Sequence, residues 1–504
     1  MKRSFFLKWM LVLWAVASSA AMAELRVSGI FSDHMVLQRD RLGPVWGWAD
    51  AGATVNVQFG DQDVSSVADE SGGWGVHLAS MLARGEGRTL LIKTGNEQIQ
   101  ILDVLVGEVW HASGQSNMAM NVGAVAKRLT LAQRHVAEAN HPTIRFRRIN
   151  EGESAKPQKD LPRKEAWKVC TPETVSGFSA AAFYFARMLQ EELHVPIGII
   201  DSSRGGTPIE PFIPREAFTT HPTLIRELEL GDLGDLPGLT KLPGGVRARD
   251  ANWLPGRLFH SRLAPIASFA VRGTVWYQAE SNCGVGEDPR DYQHKMRALI
   301  QGWREAFKNP DMPVYFVQLP GSGAGNGWPY MREQQRLILN HSSQVGMAVT
   351  IDLLDDGIHP PNKIDVGRRL ARWALANTYK KERPFSGPLF KQAKVDGDRV
   401  TVHFEHVESG LMIAIKEGLE DPIESSKTSL SHFELADASG QWHLANAVIE
   451  GKVLVVRSEE VNDPIAVRYG YAVNPQHCHL YNRDGLPASP FCSDPKLLTY
   501  ESDL

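Results

Sequence analysis

The chain has 504 residues, 43% of them hydrophobic and 22% charged, with a formal net charge of -4. That length supports two or three domains around a sizeable core. The charge balance, without a clustered basic run, argues against nucleic acid as a partner, and no stretch beyond the first residues approaches the roughly 18 apolar residues of a membrane span.

Residues 1–23 read as a signal peptide. Lys2, Arg3 and Lys8 are basic, residues 10–17 form a short apolar core, and Ala21-Met22-Ala23 offers small residues on either side of the cleavage point. The expected address is therefore exported, periplasmic or secreted. An uncleaved anchor is the alternative, and the short apolar core disfavours it.

Residues 24–106 alternate apolar and polar over short runs, as in Thr54-Val55-Asn56-Val57-Gln58-Phe59, with turn signals at Gly60-Asp61 and Ser71-Gly72-Gly73. This predicts a β-rich accessory domain of sandwich type. Residues 107–380 change to strands alternating with helices. Strands are expected at 103–110, 197–201, 271–277, 314–319 and 347–352, and helices at 118–129, 179–192 and 291–307, the second capped by Ser179. Alternation of this kind predicts an α/β domain with a mostly parallel sheet flanked by helices, whose ligands gather at the carboxyl ends of the strands. The Gly/Pro-rich segment 231–245 reads as a loop or insertion. Residues 381–504 return to short alternating strands and predict a C-terminal β-rich domain.

The four cysteines suit an exported protein loosely. Cys478 and Cys492 are near enough to bridge one loop, while Cys170 and Cys283 could be free. In His477-Cys478-His479, strand alternation would put the cysteine on the face opposite both imidazoles, so a shared metal ion is not expected. No cofactor is implied.

The chemistry concentrates in four segments. Gly114-Gln115-Ser116-Asn117-Met118 places a serine at a strand-to-helix turn, where unpaired N–H groups favour a nucleophile and the oxyanion it creates. Asp356-Gly357-Ile358-His359-Pro360-Pro361 offers a histidine stiffened by two prolines, with Asp356 three residues upstream to hold Nδ1–H; Asp352 and Asp355 compete for that role. Gln278, at the end of an apolar strand, could aim its amide into the crevice, and Glu280 could anchor the loop that follows. Gly205-Gly206 would let a backbone N–H approach a ligand, and no lysine follows in the spacing of a phosphate loop. Each of these segments also has an ordinary reading as a turn or a hydrogen-bonded strand end.

Taken in order, the segments resemble the sialate O-acetylesterase family of SGNH (GDSL-like) hydrolases. The resemblance extends through Gly107-Glu108-Val109-Trp110, Gly205-Gly206-Thr207-Pro208-Ile209-Glu210, Trp276-Tyr277-Gln278-Ala279-Glu280-Ser281-Asn282, Arg332-Glu333-Gln334-Gln335 and Ile358-His359-Pro360 to Gly485-Leu486-Pro487. It implies an esterase that removes O-acetyl groups from sugars. Ser116 would be the nucleophile and His359 the general base, with oxyanion donors from the Ser116 N–H, a glycine N–H of Gly205-Gly206 and the Gln278 side chain. The chain departs from the family at Ala279, where glycine is usual, and at Asp355-Asp356-Gly357, which leaves the third triad member open. Arg204, Glu280 and Asn282 are candidates for substrate contact, Arg204 because an acidic sugar calls for a facing guanidinium. Trp110, Trp276, Trp328 and Tyr330 read either as stacking faces for a sugar or as core. The partner is an O-acetylated sugar or glycan, with sialate and plant polysaccharides such as xylan or xyloglucan as alternatives. A non-catalytic glycan-binding protein and a lipase are more distant readings.

Overall fold

The computed structural model describes residues 24–162, 165–234, 253–283, 289–322, 325, 327–353 and 357–498. The signal segment 1–23 and both Asp355 and Asp356 lie outside the described residues, as does 235–245 of the expected loop. The beginning of that loop, Gly231 to Gly234, instead completes a helix over Pro222–Gly234.

The organising element is one strand of 18 residues, Glu97–Gly114. Its first half alternates in exposure and pairs antiparallel with Arg84–Thr94. Its second half, Val104 to Gly114, is buried without interruption and runs parallel to Ile197–Asp201 on one side and Gly273–Tyr277 on the other. The change from a half-exposed to a doubly covered strand explains the change in its sequence pattern. Across the central sheet the order is Lys168–Cys170, His141–Arg148, Ile197–Asp201, Glu97–Gly114, Gly273–Tyr277, Val314–Val317, Val345–Ala348; only the first pair is antiparallel.

Helices cover both faces of this sheet, because successive strand residues point opposite ways. Trp110 meets Phe185 of the helix Ala180–Leu193 with ring centroids 5.1 Å apart. His111, its neighbour, meets Trp303 of the helix Tyr292–Ala306 at 5.1 Å. Ser179 caps the first of these helices, accepting from the Ala182 N–H. The helix Lys363–Trp373 packs so tightly on it that a methyl at Gly367 would lie 2.6 Å from Tyr184 Cβ.

The expected helix over 118–129 is two short helices, Ser116–Ala119 and Val122–Ala126. Met120 leaves the helical region at ψ 119°, and the Asn121 side chain accepts the Ala124 N–H at 2.8 Å. An asparagine is worth more as a cap than inside a helix, so it restarts the helix here.

The N-terminal residues contribute an antiparallel sheet of Arg26–Val27, Gly43–Trp48 and Gly73–Leu78, and the strands Thr54–Phe59, Gln62–Val67 and Arg84–Thr94, which join the central sheet through Glu97–Gly114. Beyond the central sheet, seven antiparallel strands run in the order Leu389–Asp396, Arg399–Glu405, Val453–Arg457, Trp442–Glu450, Phe433–Ala436, Ala466–Tyr469, Phe491–Cys492. This part grips the central one by polar contacts, with Gln318 Nε2 donating to Ser489 Oγ at 2.9 Å and Tyr481 OH to Asp352 Oδ2 at 3.2 Å. His477 to His479 do not form a strand; His477 has φ 65° and the strand begins at Leu480. All four cysteines are free and buried, so Cys478 and Cys492 do not bridge.

Candidate active site

The strand Glu97–Gly114 ends in a turn that no side chain other than glycine's could make. Gly114 has φ +135°, and a Cβ there would fall 2.0 Å from the Tyr277 carbonyl oxygen. That carbonyl instead accepts the Gln115 N–H at 2.9 Å. The chain then turns into the helix Ser116–Ala119, with Ser116 half-buried at its first position. The neighbouring strand Ile197–Asp201 runs on alongside, with the Arg204 N–H donating to Gly114 O at 2.9 Å. A methyl added to Gly205 would lie 3.7 Å from Ser116 Cβ, and both Gly205 and Gly206 are exposed. Among the described residues the N–H groups of Ser116, Gly205 and Gly206 donate no hydrogen bond, and Gly205 lies against Ser116.

His359 reaches this hydroxyl from the loop beyond the strand Val345–Ala348. Its Nε2 lies 2.8 Å from Ser116 Oγ, 243 residues away in sequence. With the proton on Nδ1, the serine O–H donates to Nε2, which is the arrangement a general base requires. Asp352, one candidate to hold this imidazole, is committed elsewhere. Arg369 donates to both of its oxygens at 2.6 and 2.7 Å, and Tyr481 to one. Asp355 and Asp356 lie outside the described residues.

The segment after Gly273–Tyr277 is placed differently from expectation. Gln278 is fully buried, and its amide nitrogen donates inward, to Asn282 Oδ1 at 2.8 Å, Gln115 Oε1 at 3.0 Å and Thr207 O at 3.3 Å. Its two protons are thereby occupied in holding the Ser116 turn to its neighbours, and a direct bond to an oxyanion would have to break one of these. Asn282 is 2% exposed, receives the Ile209 N–H and donates to Glu210, which also pairs with Lys295 Nζ at 2.7 Å. Glu280 is likewise turned inward; burial raises its carboxyl pKa, and Oε2 has no hydrogen-bond partner. Glu280 and Asn282 are therefore not groups that meet a substrate in the crevice. The ordinary reading of a hydrogen-bonded strand end describes these residues, because the segments after Gly114 and Asp201 bond to them from either side.

Arg204 is the candidate that remains accessible. Its guanidinium makes no ion pair among the described residues, since Asp201 is held by Arg148 at 2.6 Å and Glu210 by Lys295. The aromatic candidates belong to the core: Trp110, Trp276 and Trp328 are at most 2% exposed and Tyr330 9%.

The chain is similar to known carbohydrate esterases. A family model described as carbohydrate esterase, sialic acid-specific acetylesterase matches residues 244–376. The sialate O-acetylesterases of Homo sapiens and Rattus norvegicus are 28% and 27% identical, over 95% and 96% of this chain and 94% and 96% of theirs. The crystal structure of a carbohydrate acetylesterase from Xanthomonas citri superposes with a TM-score of 0.80 at 32% identity, covering 93% of this chain and 99% of that one. The chain belongs to the sialate O-acetylesterase family. As a member of that family of carbohydrate esterases it is a carboxylic ester hydrolase.

One departure from the family pattern carries a measurable cost. Ala279 has φ +146° and ψ -15°, a backbone state that glycine adopts freely and alanine does not. Holding it there costs about 1–3 kcal/mol, against roughly 0.8 kcal/mol gained by burying the methyl. Ala279→Gly is expected to stabilise this family member by about 0.5 kcal/mol after the added flexibility of the unfolded chain is subtracted. Urea denaturation of the two proteins measures the difference, and a less stable glycine variant would contradict the strain.

Proposed function

We propose that the chain is an exported serine esterase that removes O-acetyl groups from carbohydrates, sialate among them, by two-step acyl transfer. The observation that carries this reading is the 2.8 Å contact between His359 Nε2 and Ser116 Oγ beside free N–H groups. His359 takes the Ser116 proton as Oγ attacks the acetyl carbonyl. The N–H groups of Ser116 and of Gly205 or Gly206 receive the oxyanion, and Gln278 acts by keeping that turn in place. The sugar hydroxyl departs with the proton from His359, and water then hydrolyses the acetyl-enzyme by the reverse proton path. Asp356 is the residue we assign to orient the His359 Nδ1–H.

The fold is read as an SGNH-hydrolase sheet. Ser116, Gly205-Gly206, Gln278 and His359 follow the strands ending at Gly114, Asp201, Tyr277 and Ala348 in turn, which suits a ligand at the carboxyl edge. The proposed organisation is a signal peptide over 1–23, β-rich parts over 24–106 and 381–504, and a catalytic domain over 107–380. None of the helices among the described residues is long and apolar enough to cross a membrane.

An acidic sugar is favoured by the charge beside the serine. Arg204 follows the strand that borders the serine turn, its N–H on Gly114 O, with Arg148 and Arg262 near it, and Arg262 is pushed down to about 9 by burial and then by Arg204 and Arg148. Its Nη2 is buried without a hydrogen-bond partner. The test is acetate release from acetylated sialic acid, acetylxylan and acetylated xyloglucan by wild type and Arg204→Ala. One lost charged hydrogen bond is worth about 1.5–3 kcal/mol, so kcat/KM on the sialate should fall roughly 10- to 100-fold while the neutral polymers are unaffected. Equal losses on all three would remove the acidic sugar from the reading, and no acetate from any of them would remove the function.

A further inference from the structure

The loop that carries His359 has no secondary structure of its own between Gly357 and Pro361. Its backbone is nonetheless held at three successive carbonyls. Asn117 Nδ2 donates to Ile358 O at 2.8 Å, Arg128 Nη1 to His359 O at 2.9 Å, and Lys363 Nζ to Pro360 O at 2.6 Å. Three side chains from three segments thus do what a strand ladder would otherwise do.

Two of the three donors are joined to each other and to the serine. Asn117 directly follows Ser116 and is fully buried. Its carboxamide oxygen accepts from Lys363 Nζ at 2.6 Å, and its second N–H is taken by Glu280 Oε1. Both N–H groups of the carboxamide and its oxygen are therefore engaged, and it ties the residue after the serine to the carbonyls on either side of the histidine. Lys363 is itself fully buried, an expensive location for an ammonium unless its protons are placed. Arg128 is exposed and approaches from the segment after the helix Val122–Ala126.

We propose that Asn117, Lys363 and Arg128 are positioning residues that set the distance and angle between Ser116 Oγ and His359 Nε2, with Glu280 fixing the orientation of the Asn117 carboxamide. The proposal rests on the catalytic roles assigned above to Ser116 and His359. It gives the imidazole a backbone support that acts whether or not a carboxylate holds Nδ1. Since the acetyl group binds at the N–H groups and not at these donors, removing one should slow chemistry and leave substrate binding alone.

The experiment compares Arg128→Met, Lys363→Met and Ser116→Ala with wild type on an acetyl ester, together with their melting temperatures. Arg128→Met removes an exposed contact and is expected to fold normally, so it keeps the test decisive if Lys363→Met does not. Expected is a kcat lower by about 10-fold for Arg128→Met and up to about 100-fold for Lys363→Met, because small misplacements of a base are costly. KM should stay within about twofold, the signature of an interaction felt only in the transition state. Arg128→Lys, which keeps a donor, should recover part of the rate. An unchanged kcat in Arg128→Met, or a fall matched by a rise in KM, would overturn the positioning role. If Ser116→Ala kept its activity, the catalytic reading itself would fail, which is a separate result.

Discussion

Ser116→Ala is expected to lower kcat on an acetyl ester by about 10⁴- to 10⁶-fold, with a melting temperature near that of wild type. The substitution removes one oxygen from a half-buried position at the start of a short helix, so little packing is lost. What disappears is the atom 2.8 Å from His359 Nε2 that would form the bond to the acetyl carbon. His359→Ala should cost a comparable factor, since the hydroxyl then has no base. Combining the two should cost scarcely more than either alone, because a nucleophile and its base act as one unit. Steady-state acetate release from the three variants decides this. Residual activity of Ser116→Ala above about one-hundredth of wild type would mean that another group attacks the ester.

The largest expected effect on stability lies further back along the same strand. Glu108 is fully buried and accepts from Arg39 Nε at 2.5 Å, from Arg272 Nε at 2.7 Å and Nη2 at 3.0 Å, and from Gln38 Nε2 at 3.1 Å. It joins a loop of the N-terminal part, a residue leading into the strand Gly273–Tyr277 and the central strand itself. Glu108→Ala would leave the two guanidiniums with only the half-exposed Asp40, 3.4 Å from Arg39 and 3.8 Å from Arg272, and breaking a buried pair in this way costs about 3–5 kcal/mol. Burial by itself would raise the Glu108 pKa, but the hydrogen bonds and charge of Arg272, with those of Arg39 and Gln38, hold it below the ordinary range. A depressed carboxyl stabilises the fold above its unfolded pKa of about 4.3, and that contribution is lost as pH falls through the lower folded value. Glu108→Gln should therefore be less stable than wild type at neutral pH, with the gap narrowing in acid. Urea titrations at neutral and acid pH measure both effects; a gap that does not change with pH would assign the loss to packing rather than charge.

The parts of this molecule that were legible in the sequence are those in which local pattern and tertiary role coincide. The strand Ile197–Asp201 is an unbroken apolar run because both its faces are covered, and the helix Ala180–Leu193 carries its own cap. Ser116 and His359, which the fold brings within 2.8 Å of each other, stood out in the sequence beside a glycine turn and a proline-stiffened loop. Polar residues were harder, since a side-chain amide gives no sign of which way it will face. Gln278, Glu280 and Asn282 sit where a crevice was expected, yet the loops after Asp201 and Gly114 fold over them and use their bonds internally. The contacts of Asn117, Arg128 and Lys363 were invisible for the same reason. Their partners are backbone carbonyls more than 200 residues away or within a loop, and no periodicity records such a contact.

The strand Glu97–Gly114 also bears on how the molecule could be taken apart. One continuous rod serves the accessory β-structure at its start and carries the turn of Ser116 at its tip. Clipping away the first hundred residues would strip hydrogen bonds from the very beam on which the serine is mounted. The N-terminal portion thus works as scaffolding for the proposed hydrolytic centre rather than as a detachable appendage.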